Sequence, residues 1–160
     1  MTEVFAKEQG IAAAIKEKLG DTVEEVRVDR MRRLSVVAQK ETVKHVAASL
    51  QSLGLDHTLA VSGVDYPNEN RVDIVYFLSS YSRDDLKDIV LSLRVKLDRE
   101  NPSTPSLTPI WESSNYFERE AWEMFGVNFE GHPNLQKLLL QDNWDGPPPL
   151  RKDLKIPELA

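Results

Sequence analysis

Residues 89–97 read IVLSLRVKL, and this stretch decides which fold the sequence is expected to adopt. Its apolar side chains occupy every second position: Ile89, Leu91, Leu93, Val95 and Leu97. An alternation with a period of two is typical of a β-strand that buries one face, whereas a helix places its apolar residues three or four positions apart. We therefore predict a strand here, although several of these residues also favour helices.

Patterns on the N-terminal side of this strand predict a hairpin, two helices and two further strands. In chain order, the expected elements are a helix ending at Gly20, strands at 26–28 and 34–38 around a turn at 29–32, a helix from Val43 to Leu53, strands at 58–64 and 71–78 around a turn at 67–70, and the strand at 89–97. The sum is an α+β domain in which helices pack on one mostly antiparallel sheet.

The composition changes after about residue 100. Prolines at 102, 105 and 109 indicate an extended connector, and a third helix is predicted from about Tyr116 to Phe125. The three prolines at 147–149 preclude a helix or a central strand. We therefore divide the chain into three parts: the α+β domain at 1–100, the connector and helix at 101–130, and an extended proline-containing C-terminal arm at 131–160.

The overall composition narrows the classes of function. The chain has 160 residues, of which 41% are hydrophobic and 29% charged, as in ordinary globular proteins. A net charge of −6 without a basic run argues against nucleic acid and anionic lipid as electrostatic partners. The lack of cysteine excludes disulfides, cysteine-held iron–sulfur clusters, cysteine zinc sites and a cysteine nucleophile.

Other sites and segments are also not expected. No stretch approaches the ~20 apolar residues of a membrane span, and charged residues within 1–20 argue against a signal peptide. His45, His57 and His132 have no metal-ligand spacing, and the sequence contains no phosphate loop or nucleophile elbow. We assign no catalytic, cofactor-binding or metal-binding residue, and expect a chain that is soluble or reaches a membrane only through partners.

The third helix carries an acidic residue on its apolar side. Asn115 is a good N-cap, and Glu118 three positions later completes a capping-box pattern in which the carboxylate bonds back to the Asn115 backbone. The alternative is an ion pair between Glu118 and an arginine of the arm or of a partner. Arg119 and Glu123 are expected on the opposite, polar side, at a spacing that allows a surface ion pair.

All three tryptophans, Trp111, Trp122 and Trp144, lie in the last third of the chain. Apolar anchors on a proline-containing arm suggest contact with another protein. The alternative is an arm that folds back over its own sheet, and the sequence favours neither interpretation.

Three motifs resemble those of a known family. Residues 118–127 read EREAWEMFGV, residues 131–135 read GHPNL and residues 150–153 read LRKD. In this order and with these separations, they resemble the 30 kDa subunit family of respiratory complex I. The strong resemblance covers roughly Arg99 to Ile156, including the RENP connector and Trp111.

The sequence departs from the family pattern at three places. Glu123 stands where Asp is common, Gln136 stands where a basic residue is common, and Pro147 to Pro149 precede Leu150 where other branches differ. These departures indicate an archaeal-type or otherwise divergent branch.

The resemblance implies an accessory subunit without its own redox centre in the peripheral electron-transfer arm of a complex I-like oxidoreductase. It would support assembly beside the large quinone-site subunit and the subunit that holds the terminal iron–sulfur cluster. Iron–sulfur clusters and flavin or deazaflavin would belong to partner subunits, and the chain would lie on the cytoplasmic side of the membrane. The electron donor stays open among NADH, ferredoxin and reduced deazaflavin coenzyme, and the acceptor between quinone and phenazine.

The residues expected to contact partners or to form the family's structural signature follow from the same motifs. They are Glu118, Arg119, Glu120, His132, Trp144, Arg151, Lys152 and Asp153. Arg151 and Lys152 are candidate anchors to acidic groups of a partner.

Three alternatives compete with this interpretation. One is the equivalent subunit of a membrane-bound hydrogenase. Another is an independent enzyme, whose best acid–base set would combine His132 with Glu118, Glu120 or Glu123. The last is a scaffold module unrelated to respiration.

Overall fold

The structure is a computed structural model that describes residues 4–155. The ends of the predicted N-terminal domain and of the predicted arm, residues 1–3 and 156–160, lie outside the described residues. The elements, in chain order, are α1 (Ala6–Leu19), β1 (Val23–Arg30), β2 (Arg33–Ala38), α2 (Val43–Ser52), β3 (His57–Tyr66), β4 (Arg71–Ser79), β5 (Val90–Asp98), β6 (Ser103–Pro105), α3 (Asn115–Phe125) and β7 (Asn128–Glu130).

Strand β5, which contains most of the 89–97 pattern, lies at the centre of a five-stranded sheet. The strand order is β1-β2-β5-β4-β3, and only the β2–β5 pair is parallel. The parallel pair requires a long connection, and α2, β3 and β4 provide it. The predicted α+β fold with a mostly antiparallel sheet is therefore confirmed.

One face of the sheet is apolar and the other is polar. Leu93 of β5 pairs with Val36 of β2 and with Tyr76 of β4, and this row of side chains faces a core that also contains residues from all three helices. The intervening residues of β5 lie on the opposite face, where Arg94 forms an ion pair with the fully buried Asp73. The period of two in the sequence thus corresponds to these two faces.

Helix α3 lies against the edge strand β3 because one residue of that strand lacks a side chain. A Cβ atom added at Gly63 would stand 2.5 Å from the ring of Phe125. Close approach of another group is a usual reason for glycine within a strand. The contact places α3 on the apolar face, next to Tyr76.

The structure corrects two local details of the predicted elements. The turn predicted at 29–32 is shorter, because β1 continues to Arg30 and the reversal uses Met31 and Arg32, whose φ is 62°. The connector contains β6, which pairs in parallel with β7. Neither short strand was predicted, since three residues are too few to show an alternating pattern.

The division of the chain into three parts stays a prediction. The hydrophobic core includes residues from the predicted connector and helix, among them Leu107, Trp111 and Phe125. Trp111 is 1% exposed, and its indole N–H donates to the Leu55 carbonyl over 2.8 Å. Residues 101–130 therefore pack on the sheet, whereas residues 131–155, here called the C-terminal segment, contribute little to the core.

Candidate partner-binding site

Glu118 of α3 lies at the centre of a buried polar network. Its side chain is fully buried; Oε1 accepts from the Tyr76 hydroxyl and from the Leu107 backbone N–H, each over 2.8 Å. Oε2 accepts from the Ser106 hydroxyl over 2.6 Å. The carboxylate therefore joins α3 to the central sheet and to the connector.

This network shows that the predicted capping box is wrong. The helix begins at Asn115 after an N-cap at Ser114, and no side chain caps it. Glu118 accepts from neutral donors of β4 and the connector, and no arginine among residues 4–155 pairs with it. Helical periodicity correctly placed the carboxylate on the apolar side, but only the tertiary fold supplies its donors.

Burial governs the acidity of this network. Loss of hydration raises the pKa of Glu118 above its ordinary value of 4.5, and the hydrogen bonds from Ser106, Leu107 and Tyr76 counteract part of that rise. Burial, together with the adjacent carboxylate, raises the pKa of the Tyr76 hydroxyl well above 10.0. Tyr76 therefore serves as a hydrogen-bond donor to Glu118.

His132 borders this network at the start of the C-terminal segment. Its side chain is fully buried, and Nε2 lies 3.9 Å from Oε2 of Glu118 and 3.0 Å from the Asn115 carbonyl oxygen. Nδ1 accepts from the Asn134 backbone N–H over 3.0 Å, so the proton of the neutral ring belongs on Nε2, which donates to Asn115. His132 therefore fixes the segment where it leaves β7.

Arg119 and Glu123 of α3 do not form the expected surface ion pair. Arg119 donates from Nε to the Gln136 carbonyl and from Nη2 to the Lys137 carbonyl, each over 3.0 Å. Glu123 is 6% exposed, so its predicted location on the polar side of the helix is also wrong. Both side chains instead bind the backbone of the C-terminal segment.

The carboxylate of Glu123 accepts from three successive backbone N–H groups. The distances are 2.6 Å from Leu138, 2.9 Å from Leu139 and 3.3 Å from Leu140. The ammonium group of Lys137 donates to the carbonyls of Gln141, Asp142 and Trp144. Residues 136–144, here called the 136–144 loop, thus have their backbone held by three charged side chains.

The 136–144 loop exposes apolar side chains. Leu138 and Trp144 are each 39% exposed and Leu139 is 60% exposed. Of the tryptophans that suggested a partner, Trp111 is buried and Trp122 packs against the core, so Trp144 is the one that keeps a large exposed surface. The C-terminal segment therefore returns to its own domain and still presents apolar groups outward.

The LRKD motif docks the end of the C-terminal segment on the sheet domain. Arg151 donates from Nε to the Phe125 carbonyl over 2.6 Å and from Nη1 to the Arg99 carbonyl over 3.0 Å. The Lys152 backbone N–H donates to Oδ2 of Asp65 over 2.8 Å, and Asp153 lies 3.1 Å from Nη2 of Arg99. In this structure the motif contacts its own chain.

Asp65 and Arg99 form the base of this docking site. Asp65 is 2% exposed, and its two oxygens accept from Nε and Nη2 of Arg99 over 2.7 and 2.9 Å. The hydrogen bonds from Arg99 hold the pKa of Asp65 below its ordinary value of 3.8. Burial lowers the pKa of the Arg151 guanidinium, which lies beside this pair.

Asp65 and Tyr76 belong to these contacts but were not predicted from the sequence, although each lies in a pattern that indicates a buried polar group. Asp65 shares the apolar face of β3 with Val61 and Gly63, and a carboxylate there needs a donor. Tyr76 shares the apolar face of β4, and a buried tyrosine hydroxyl usually finds an acceptor. Neither feature identifies the partner, because the partners lie tens of residues away along the chain.

The remaining signature residue, Glu120, is exposed on the outer side of α3. Between residues 4 and 155, no group of three or more His, Cys, Asp or Glu side chains could hold a metal ion. Across the same residues, no helix has the length and apolar character to cross a membrane. The predictions that the chain binds no cofactor and has no catalytic residue stay predictions.

The family model for the 30 kDa subunit of respiratory-chain NADH dehydrogenase matches residues 36–159. The chain belongs to this family. The match includes α3 and the C-terminal segment, and it confirms the family that the three motifs indicated.

Two relatives from respiratory complexes agree with this assignment. The chain is 34% identical over 144 residues to a subunit of the F(420)H(2) dehydrogenase of Methanosarcina mazei, with 89% of each chain covered. It is 34% identical over 148 residues to a subunit of the NADH-quinone oxidoreductase of Chloroherpeton thalassium, covering 91% of this chain and 60% of the relative. The chain thus spans about three fifths of that bacterial relative.

A solved structure supports the fold. A chain in the structure of the membrane-bound sulfane sulfur reductase, an archaeal respiratory membrane complex, superposes with a TM-score of 0.82 over 94% of this chain and 86% of that one. The sequence identity is 24%, so this likeness bears on the fold alone.

Proposed function

We propose that this chain is an accessory, non-redox subunit of the peripheral electron-transfer arm of a complex I-like respiratory oxidoreductase. The complex would pass electrons from NADH or a reduced deazaflavin coenzyme to membrane quinone or phenazine, coupled to ion translocation. The chain would lie on the cytoplasmic side of the membrane and act in assembly, supporting the quinone-site subunit and the terminal iron–sulfur subunit.

The observation that carries this proposal is the form of the C-terminal segment. Its backbone is fixed to α3 and the sheet by Arg119, Glu123 and Arg151, while apolar side chains of the same segment stay exposed. Exposed apolar groups on an ordered segment are typical of a surface that binds another protein. The names of the relatives, subunits of F(420)H(2) dehydrogenase and NADH-quinone oxidoreductase, point to the class of complex.

The arrangement of the titratable groups also favours an assembly role over catalysis by this chain. The side chains of His132 and Glu118 are fully buried and hydrogen-bonded within the protein, and Glu123 binds backbone N–H groups. A general acid or base needs a substrate within hydrogen-bond reach, and these three groups are engaged elsewhere.

The proposal is tested by purifying the tagged full-length chain from its own membranes in mild detergent. We expect quinone-site and iron–sulfur subunits to co-purify, identified by mass spectrometry, and the associated iron to disappear when the chain is purified alone. The donor-side subunits in the preparation would distinguish NADH, ferredoxin and deazaflavin inputs, and hydrogenase subunits would indicate the alternative complex. A chain that recovers no oxidoreductase subunit, or that binds iron by itself, would overturn the proposal.

A matched pair of variants addresses the assembly role. Arg119→Ala removes the two hydrogen bonds to the segment backbone, whereas Arg30→Ala changes an exposed arginine at the end of β1. We expect Arg119→Ala to lower recovery of the other subunits and Arg30→Ala to leave it near the wild-type level. An assembled but inactive complex with Arg119→Ala would instead favour a direct role in electron transfer.

A further inference from the structure

We propose that the 136–144 loop is a preorganised binding element that inserts Leu138, Leu139 and Trp144 into an apolar pocket with a basic rim on another subunit. This inference rests on the proposed function, because it takes the partner to be a subunit of the same complex. It adds which residues make the contact, which side chains shape the loop and what chemistry the partner surface must have.

The first argument is the way in which the loop is built. Arg119 and Lys137 bind its carbonyl groups, and the carboxylate of Glu123 binds three successive N–H groups. A loop without helix or strand structure normally loses conformational entropy when it binds, and a loop already held in one conformation loses less. Three charged side chains that hold a surface loop in one conformation therefore favour a binding role.

The second argument is the orientation of the apolar side chains. Leu138, Leu139 and Trp144 keep 39%, 60% and 39% of their surface exposed, although their backbone N–H groups are hydrogen-bonded. Trp144 is itself positioned, since its indole N–H donates to the Pro147 carbonyl and a Cβ atom at Gly146 would stand 2.9 Å from its ring. Positioned tryptophan and leucine side chains are the usual anchors of a buried contact.

The third argument concerns charge and selects the occupant. Asp142 and Asp145 flank Trp144 and are exposed, and neither carboxylate pairs with a basic side chain within residues 4–155. Lys137, the basic residue within the loop, points its ammonium group at loop carbonyls. The exposed charge around the apolar anchors is therefore negative, and a complementary pocket carries lysine or arginine at its rim.

The same charge argument disfavours a second copy of this chain as the occupant. The chain carries a net charge of −6, so two copies repel each other at long range. A different subunit with a basic surface is attracted by the same negative charge. Sedimentation of the purified chain, alone and as the Trp144→Ala variant, provides a direct check on self-association through the loop.

The central experiment measures how much of the other oxidoreductase subunits co-purifies with the tagged full-length chain, wild type or variant, when that chain replaces the native one in its own membranes. Leu139→Ser removes the most exposed anchor of the loop, and Met31→Ser, 57% exposed in the β1–β2 turn, is the matched control. We expect Leu139→Ser to weaken binding at least ~10-fold, as for a central anchor, and Met31→Ser to leave it unchanged. Equal effects of the two variants would overturn the proposal.

Preorganisation is tested with Glu123→Gln, with Glu17→Gln at an exposed residue of α1 as the control. A glutamine offers one acceptor oxygen in place of two, so we expect faster hydrogen exchange at the amides of Leu138 to Leu140 and weaker binding. Unchanged exchange and binding in Glu123→Gln would show that the carboxylate does not order the loop. Urea unfolding of both variants separates a local effect from a loss of the whole fold.

The basic rim is tested by salt. Binding of the wild-type chain should weaken as ionic strength rises, and the Asp142→Asn, Asp145→Asn double variant should reduce that dependence. If the double variant showed the same salt dependence as the wild type, the basic-rim part of the proposal would be overturned. In the sedimentation experiment, self-association of the wild type that is lost in Trp144→Ala would make a second copy the occupant.

The outcomes separate the two proposals. If the wild-type chain binds the complex, and both variants, Leu139→Ser and Trp144→Ala, bind it as well as the wild type does, the loop proposal fails and the proposed function stands. If wild type recovers no oxidoreductase subunit, the proposed function fails and the loop proposal fails with it.

Discussion

Strand β5 and the 136–144 loop differ in what binds the N–H and carbonyl groups of their backbones. The backbone of β5 pairs with β2 on one side and β4 on the other, and its apolar side chains Leu91, Leu93 and Val95 are completely buried. The loop has no strand partner; charged side chains from α3 and Lys137 hold its backbone, and Leu138 and Leu139 face outward. The strand is stabilised by its own domain, whereas the loop is ordered by its domain and has apolar surface left for a partner.

The contrast teaches that order and burial are separate properties in this protein. The loop's order depends on a few hydrogen bonds to charged groups, which contribute about 1.5–3 kcal/mol each at most and can be removed one at a time. The order of β5 depends on the whole apolar layer. Variants in the two regions should therefore affect different measurements.

The largest expected effect is on the sheet. Ile74 is fully buried in β4 opposite Val95, so Ile74→Ala should lower the free energy of unfolding by about 2–5 kcal/mol by leaving a cavity. Leu59→Ala, at a residue 39% exposed on β3, is the control and should change it by about 0.5 kcal/mol or less. Urea unfolding measures both, and a small loss in Ile74→Ala would mean that the apolar layer is not the main support of the sheet.

The next effect concerns the docking site of the C-terminal segment. Asp65→Asn leaves Arg99 without its buried carboxylate and should lower the free energy of unfolding at neutral pH by about 1.5–3 kcal/mol. Asp85→Asn, which removes an exposed carboxylate paired with Arg83, should lower the free energy of unfolding much less, because water screens this pair. Faster exchange at the Lys152 amide in Asp65→Asn alone would identify the loss as undocking.

The contribution of Asp65 to the free energy of unfolding also depends on pH in a defined way. The folded-state pKa of Asp65 is lowered, so its contribution is complete above the ordinary value of 3.8 and is lost as the pH falls through the lowered pKa. The difference in stability between wild type and Asp65→Asn should therefore shrink in acid. Glu118 has the opposite sign, because its raised pKa makes its contribution complete below 4.5 and diminishes it as the pH rises. A difference that stays constant into acid would contradict the Asp65–Arg99 account.

The smallest of the three effects links the two regions. Gly63→Ala places a Cβ atom against the ring of Phe125, and we expect a loss of about 1–3 kcal/mol as α3 moves away from β3. Gly10→Ala in α1 meets nothing within 4 Å and should stabilise the helix by about 0.5–1 kcal/mol. Because α3 also carries Arg119 and Glu123, the backbone amides of the 136–144 loop should exchange faster in Gly63→Ala. Unchanged exchange would show that the order of the loop does not depend on the position of α3 against β3.

Much of the fold could be predicted from the sequence, because its regular elements bury one face and alternate accordingly. The alternation at 89–97 identified β5, and helical spacing placed Glu118 on the apolar side of α3. The candidate site was predicted less well. The capping box at Asn115 and the surface pair of Arg119 with Glu123 were wrong, since both rested on local spacing, whereas the real partners come from distant parts of the chain.

The sequence by itself determined the α+β class, the strand at 89–97 and the family, because each rests on a local period or motif. Tertiary structure alone decided that Glu118 bonds to Tyr76 and Ser106, that Asp65 receives the LRKD motif, and that the 136–144 loop is ordered with Leu138 and Leu139 outward. The physical reason is that a buried polar group must find a partner, and which partner it finds depends on which distant segments the folded sheet brings within hydrogen-bond distance.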